Sequence, residues 1–227
     1  MALLCKYEDF LARVDELGFM AFSNILEGLP SLTGETPARI WHTGDPETDP
    51  WRWKDRAAEE KRFAFGCILG GNKGFVSARM YPFFHAACHP RESMEERRYD
   101  GLVSHTAWEL WKLFEDRKVL DTGEIRKQMG VSKKKGAGRV DAAIVELQRN
   151  FHITVAGSRQ KTDKSGMPYG WHANVYNRVE DWTPESWLEE CRFINREDAV
   201  EEILDIGIAN GSGIDRSGLV KVLGLQS

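Results

Sequence analysis

One short loop contains the residue types that a hydrolytic enzyme acting on a nucleobase would need. Positions 41–51 read WHTGDPETDPW, so an imidazole, three carboxylates and two indoles lie within eleven residues. A carboxylate can orient the attacking water, and an aromatic ring can stack on a base that has left the duplex. The catalytic candidates are therefore His42, Asp45 and Glu47. The base-stacking candidates are three tryptophans in or just after the loop: Trp41, Trp51, Trp53.

The same loop also has a purely structural interpretation. Asp49 stands before Pro50, and Asp at the N-cap with Pro in the first turn is typical of a helix start. This pattern predicts a helix over 51–65 that Gly66 ends. The tryptophans would then be core residues, and the sequence leaves the catalytic and the structural interpretation open.

Other groupings of chemically active residues are weaker. The four cysteines, at positions 5, 67, 88 and 191, form no Cys-x-x-Cys pair, which argues against a disulfide framework and a structural zinc site. His85, Cys88 and His89 could lie near one another on a helix, but zinc needs a fourth ligand. The glycine-rich stretch 70–74 lacks the Gly-Lys-Ser/Thr ending of a phosphate-binding loop, so it predicts a β-turn. We expect neither a metal nor a cofactor.

A basic segment lies within a chain that is acidic overall. The net charge is −4, yet positions 125–164 hold ten bases and three acids, a net of +7 that leaves −11 for the rest. Clustered Lys and Arg side chains bind phosphates. The segment therefore predicts double-stranded DNA as the partner, contacted by eight basic residues: Lys133, Lys134, Lys135, Arg139, Arg149, Arg159, Lys161, Lys164.

Three helices and a hairpin would position this basic segment. A capping box at 106–109 predicts the start of the first helix, and the caps at Asp121 and Gly130 bound a second, short one. Strands are predicted over 151–156 and 170–179. The third helix is predicted by apolar residues spaced i, i+3, i+4 and i+7: Val140, Ala143, Ile144, Leu147.

The outer face of the third helix offers little for reading base sequence. Opposite its apolar stripe lie Gly138, Ala142, Val145 and Arg149, with few of the Asn, Gln or Arg side chains that pair with base edges. Shape- or lesion-directed binding, or partial cover of this helix by the N-terminal part, fits this face more easily than operator recognition. A winged-helix transcriptional regulator is the alternative.

The whole chain is predicted to have a mainly helical α+β fold in three parts. A winged helix-turn-helix module occupies 101–186, after an α+β part over 1–100 and before a C-terminal helical cap on the module over 187–227. Within the first part, Gly18 ends an amphipathic helix and the charged stretch 91–100 is predicted to be a linker. Whether this first part is a second, degenerate winged helix stays open.

Length and hydropathy indicate a globular protein. The chain has 227 residues, of which 41% are hydrophobic, enough for one large core or two small ones. No apolar run approaches the roughly 20 residues that span a bilayer, and the start has no basic region followed by a long apolar stretch. We expect a cytoplasmic protein without a membrane partner.

Part of the sequence resembles a known family. Residues 140–149, VDAAIVELQR, are followed by TVAG at 154–157, VYNRV at 175–179 and WTPE at 182–185. This series is similar to the winged-helix DNA glycosylases typified by AlkZ and YcaQ, most clearly over 138–186. The segment WRWK at 51–54, with Gly74 and Phe75, is similar to another part of those proteins.

The resemblance implies a winged-helix fold and DNA binding. Members of that family excise alkylated or crosslinked bases, and their catalytic signature is Gln-x-Gln or Gln-x-Asp in the N-terminal half. No glutamine precedes Gln128 in this chain, and none of its four glutamines has Gln or Asp two positions later. The catalytic signature of the family is therefore not found here.

Overall fold

Two units with the same order of elements make up most of the fold. The structure, a computed structural model, describes residues 3–116, 119–132, 136–162 and 165–225. The first unit contains α1 (Tyr7–Leu17), β1 (Phe19–Ala21), α2 (Leu32–Glu35), a 3-10 turn (Ala38–Ile40), α3 (Pro50–Glu59), β2 (Phe63–Leu69) and β3 (Asn72–Ser77). Two short helices lead to the second unit: α4 (Tyr81–Cys88) and α5 (Met94–Tyr99).

The second unit repeats this order and is followed by a group of helices. It contains α6 (His105–Asp116), β4 (Val119–Asp121), α7 (Thr122–Gln128), α8 (Ala137–Arg149), β5 (Ile153–Arg159) and β6 (Ala173–Arg178). The C-terminal helices are α9 (Val179–Trp182), α10 (Glu185–Cys191), α11 (Arg196–Asn210) and α12 (Arg216–Leu223). The fold is therefore α+β and mainly helical, as the sequence predicts.

Each unit forms a three-stranded antiparallel sheet with its last strand in the middle. In the first sheet Phe75 stands opposite both Met20 and Phe65. The second sheet has the same register, with Tyr176 opposite two residues: Leu120, Val155. All six side chains are buried in one shared core. The first part of the chain thus repeats the topology and register of the second, without an evident sequence repeat.

The third helix of each unit packs on the second strand of the other unit. Gln148, near the end of α8, accepts a hydrogen bond through Oε1 from the backbone N–H of Cys67 in β2, at 3.1 Å. In the reciprocal contact, Glu59 of α3 accepts one through Oε1 from the N–H of Ser158 in β5, at 2.9 Å. These two contacts relate the units in nearly two-fold fashion.

A glycine lies beneath each of these reciprocal contacts. A Cβ at Gly66 would overlap the amide oxygen of Gln148, and a Cβ at Gly157 would overlap the side chain of Glu59. Any larger residue at either position would push the helix away from the strand. Glycine at these two positions therefore permits the close approach of the units.

The sequence prediction of a helix over 51–65 is wrong in its second half. The helix ends at Glu59. Two residues later, Lys61 takes a left-handed φ of 53°, and Phe63 begins β2. The first sheet is buried on both faces, between the shared core and a second core that includes α4 and α11. A strand buried on both faces has a continuous apolar sequence, which periodicity cannot distinguish from a helix.

Three further sequence predictions are corrected. The predicted linker 91–100 contains α5, which starts with a capping box formed by Ser93 and Glu96. The capping box predicted at 106–109 does not start α6. The Ser104 hydroxyl instead accepts a hydrogen bond from the Ala107 N–H, and the helix starts at His105. The C-terminal helices α10 and α11 pack mainly on α4, in a core that also includes residues of the first sheet, rather than on the second unit.

Within the described residues, no helix is long and apolar enough to cross a membrane.

The reciprocal contact predicts a specific stability effect. Gln148→Ala removes the acceptor for the Cys67 N–H and leaves this donor without a partner at a packed interface. An unsatisfied buried donor costs about 1–3 kcal/mol. We expect the free energy of unfolding in urea to fall by that amount. Gln128→Ala, at an exposed position on α7, is the control and should change it little; equal effects of the two variants would contradict the role of Gln148.

Candidate nucleic-acid interface

Three aromatic rings meet where the loop before α3 touches the hairpin of the second unit. The ring centroid of His42 lies 5.1 Å from that of Trp51 and 5.3 Å from that of Trp171, and the two indoles are 6.0 Å apart. We call these residues the aromatic cluster. It joins two segments that are 120 positions apart, since Trp51 belongs to the first unit and Trp171 precedes β6.

Asp49 holds the loop in the shape that presents His42. The Asp49 carboxylate accepts hydrogen bonds from the backbone N–H groups of His42, Gly44 and Trp51, each at 2.9 Å. The last of these is the N-cap contact of α3 that the sequence predicts. Asp49 is almost fully buried, so its charge organises the loop and is not available to a substrate.

The hairpin side of the aromatic cluster is open to solvent. Trp171 is 64% exposed, and the large side chains of Met167 and Tyr169 in the same hairpin are also exposed. Bases stack on exposed aromatic rings. This surface was not predicted from the sequence, although the i, i+2, i+4 spacing of these three apolar residues was the available signal.

A buried ion pair lies beneath the aromatic cluster. The Lys54 ammonium contacts the Asp55 carboxylate, both side chains are nearly inaccessible, and Lys54 Nζ lies 4.6 Å from the Trp51 ring centroid. Burial lowers the pKa of Lys54 despite the opposing effect of Asp55. The second Asp55 oxygen has no hydrogen-bond partner among the described residues. Sequence reasoning missed this pair, because adjacent charges on a helix are usually solvated.

His172 links the hairpin to α3 beside the Lys54–Asp55 ion pair. Arg52 Nη1 lies 3.0 Å from His172 Nε2, and Ser158 Oγ lies 3.1 Å from His172 Nδ1. Burial, followed by the nearby Arg52 charge, lowers the pKa of His172. These contacts hold the hairpin against the first unit and so fix the position of Trp171.

The two predicted catalytic carboxylates lie outside the aromatic cluster. Asp45 accepts hydrogen bonds from the Glu47 N–H and the Thr48 hydroxyl, both at 2.9 Å, within its own turn. Glu47 is exposed and forms an ion pair with Arg56 at 2.7 Å. Of the three predicted catalytic residues, only His42 belongs to the aromatic cluster.

The three predicted stacking residues have different environments. Trp53 is fully buried and stacks on Phe10, so its ring is a core residue and cannot meet a base. Trp41 is partly buried, and its indole N–H donates to the Thr36 hydroxyl at 2.9 Å. Trp51 alone of the three is part of the aromatic cluster.

The predicted basic surface is divided in the structure. Arg139 is exposed in the first turn of α8, and Arg149 ends the same helix, ten residues or about 15 Å away. Arg159 forms ion pairs with Asp121 and Glu124, both at 3.1 Å, which neutralise its charge. Lys161 is partly buried in the hairpin. Lys133, Lys134, Lys135 and Lys164 lie outside the described residues.

The first unit covers the C-terminal half of α8. Gln148 is buried against β2, and Val145 faces Gly71 in the turn between β2 and β3. Near the N-terminal end, Gly138, Arg139 and Ala142 stay exposed. This arrangement matches the partial cover that the outer face of this helix suggested.

A second polar cluster surrounds a separate cavity of about 350 Å³. The rings of His85 and His89 stack at 4.6 Å, and those of His89 and His152 lie 5.1 Å apart. Burial lowers the pKa of His85 and of His152 to about 3. Within the described residues no group of His, Cys, Asp or Glu is arranged to hold a metal ion.

Comparison with known proteins identifies the family. A family model described as AlkZ related matches residues 4–224. The chain belongs to the AlkZ-related family. The match includes both units and the C-terminal helices, so the resemblance found in the sequence is confirmed and covers nearly the whole chain. Neither the curated proteins nor the solved structures gave a significant match.

Membership relates the chain to DNA glycosylase-like proteins, but two of its glutamines have structural tasks. Gln148 accepts from the Cys67 N–H and donates to the Ile144 carbonyl. Gln160 donates to backbone carbonyls of the hairpin, including that of Tyr169 at 3.1 Å. Both amides bond to backbone groups, so neither of these two glutamines takes the place of the missing motif.

The histidine cluster predicts a dependence of stability on pH. His85 and His152 have a folded-state pKa below the unfolded value of about 6.5, so only the unfolded chain takes up their protons in this interval. Their contribution to stability is complete above pH 6.5 and is lost as pH falls toward 3. Each should add a slope of about 1.4 kcal/mol per pH unit below about pH 5.5.

Urea unfolding at a series of pH values measures this slope. His152→Gln, which cannot titrate, should lose roughly one histidine's share of it, whereas His105→Gln, at an exposed position, should retain the full slope. Identical slopes in the wild type and His152→Gln would contradict the assignment.

Proposed function

We propose that this protein binds double-stranded DNA through two winged-helix units. The observation that carries the proposal is the repeated order of helix, strand, helix, helix, strand, strand, with the same strand order and register in both sheets. A helix-turn-helix followed by a hairpin is a DNA-binding arrangement, because a helix and a loop can contact adjacent parts of the duplex. Membership in the AlkZ-related family supports the same partner.

Binding is directed to DNA shape or to a disturbed base rather than to a sequence. The covered half of α8 cannot enter a major groove without separating the units. The open surface consists of the N-terminal turn of α8, with Arg139, and the hairpin with its aromatic residues. Aromatic rings stack on any base that leaves the helix, whatever its identity. The aromatic cluster is therefore the proposed contact for an unstacked base.

The charge of this surface supports contact with phosphates. Arg139 is exposed, and the sequence adds the predicted contacts Lys133, Lys134, Lys135 and Lys164 on either side of it. Phosphate contacts fix the position of a protein on the duplex without reading its sequence.

Binding can be tested by fluorescence anisotropy with labelled duplexes. The affinity of the wild type should fall steeply with salt. Trp171→Ala should weaken binding to a duplex with one unpaired base about tenfold, because base stacking on an aromatic ring contributes about 1–3 kcal/mol. An intact duplex should be affected less.

Phe193→Ala is the matched control, since this ring is also highly exposed but lies outside the hairpin. Equal effects of the two variants, or an affinity that does not depend on salt, would contradict the proposal. A loss confined to one DNA sequence would favour the transcriptional regulator instead.

Base excision is a second candidate function, favoured by membership in the AlkZ-related family. A carboxylate beside a stacked base could orient a water for hydrolysis. Asp45 and Glu47, the carboxylates predicted from the sequence, instead serve the loop and a surface ion pair. We therefore propose DNA binding as the primary function. Whether the protein also excises a base is tested separately.

Base excision is tested by measuring the release of a modified base from alkylated or crosslinked duplex DNA. We expect Asp45→Asn and Glu47→Gln to retain DNA binding, because they add no bulk and lie outside the basic segment. We also expect them to leave base release unchanged from the wild type. Wild-type release that these variants abolish would establish the catalytic role that the sequence suggested.

A further inference from the structure

Three cations line a cavity where both units meet the C-terminal helices. Its volume is about 370 Å³, within the range of roughly 300–1,000 Å³ typical of small-molecule sites. Arg149 ends α8, Arg196 begins α11, and Lys221 lies in the last turn of α12. No carboxylate is among the described residues that line it.

These three cations have no partners in the described part of the chain. None of them forms an ion pair or a side-chain hydrogen bond there, whereas Arg159 and Arg216 both pair with carboxylates. Two acidic residues on the same helices are engaged elsewhere. Glu146 of α8 accepts from the Ser104 N–H, and Glu201 of α11 pairs with Arg216. In a chain of net charge −4, a carboxylate-free group of cations is unusual.

Two of the guanidinium groups share the cavity lining with the Cys88 thiol. Burial raises the pKa of the Cys88 thiol to about 12, and the charges of Arg196 and Arg149 both oppose this rise. Both guanidinium groups line the same cavity as this thiol. Like charges held together repel, and an anion between them would offset that repulsion.

Helix stability does not account for all three cations. Arg149 and Lys221 lie near the C-terminal ends of their helices, where a positive charge is favourable. Arg196 is the first residue of α11, at the positive end of the helix dipole, where a cation is unfavourable. Helix stability therefore does not explain why Arg196 lines the same cavity as Arg149.

The cavity is also built into the fold. The Asn72 side chain, in the turn after β2, donates to the carbonyl of Leu69 and, at 3.2 Å, to that of Val222 in α12. This contact fixes α12 against the first unit beside Gly70 and Gly224, which line the cavity. Lys221 is thereby held at a constant position relative to α8.

We propose that this cavity binds a phosphate group. Guanidinium forks match the oxygens of a phosphate with paired N–H donors, and Lys221 adds a point charge. The phosphate belongs either to the DNA backbone, a source that rests on the proposed function, or to a small phosphorylated molecule. Both sources are recognised by the same chemistry, and the experiment separates them.

The first arm measures stabilisation by inorganic phosphate in differential scanning calorimetry, at constant ionic strength with chloride as reference. Phosphate should raise the Tm of the wild type, and the double variant Arg149→Gln/Arg196→Gln should show at least about a tenfold weaker apparent affinity. Arg216→Gln, which removes a cation already paired with Glu201, is the matched control and should respond like the wild type. If the double variant does not fold, Lys221→Gln takes its place.

The second arm measures duplex DNA binding by the same variants. If the phosphate is that of DNA, the double variant reduces the dependence of log affinity on log salt by about one for each cation removed. If the ligand is a small molecule, DNA binding is unchanged while stabilisation by phosphate is lost. Either result supports the site.

Unaltered phosphate stabilisation in the double variant would overturn the proposal. The proposal would also be overturned by two results together: phosphate does not stabilise the wild type, and the double variant binds DNA as the wild type does. A wild type that binds phosphate but no DNA would refute the proposed function and leave this site in place.

Discussion

The rest of the structure depends on the reciprocal contact between the third helix of each unit and the second strand of the other. The side chains of Gln148 and Glu59 each lie over a glycine of the strand. Each accepts a hydrogen bond from the backbone N–H of the residue after that glycine. The contact is possible only where the strand carries no side chain, so two glycines determine how closely the units approach. Because the six central side chains of the two sheets share one core, the units fold as one body.

This packing determines which surfaces remain free. It covers the C-terminal half of α8 and brings the hairpin of the second unit across α3. The rings of Trp51 and Trp171 meet only for that reason, since they belong to different units. The same approach encloses the Lys54–Asp55 pair, whose charges are kept away from water. The aromatic cluster and the ion pair are thus products of the unit interface.

Charge counted along the chain and charge arranged in space lead to different surfaces. Arg159 of the basic segment pairs with Asp121 and Glu124, which lie outside that segment, whereas Arg126 pairs with Asp141 within it. Arg149 leaves that surface and joins Arg196 and Lys221. A run of like charges in sequence therefore does not define one electrostatic surface, because partners come from outside the run.

The sequence by itself determined the local features: the helix stop at Gly18, the Asp49 cap of α3, the Asp121 cap of α7 and the apolar stripe of α8. These depend on interactions within a few residues. It also carried the family resemblance and the α+β class. Tertiary structure decided that Phe63 begins a strand, because a strand buried on both faces has no periodicity of its own. Only the fold could bring together Trp51 with Trp171, or Arg149 with Arg196, since contacts between distant residues depend on packing that no local pattern encodes.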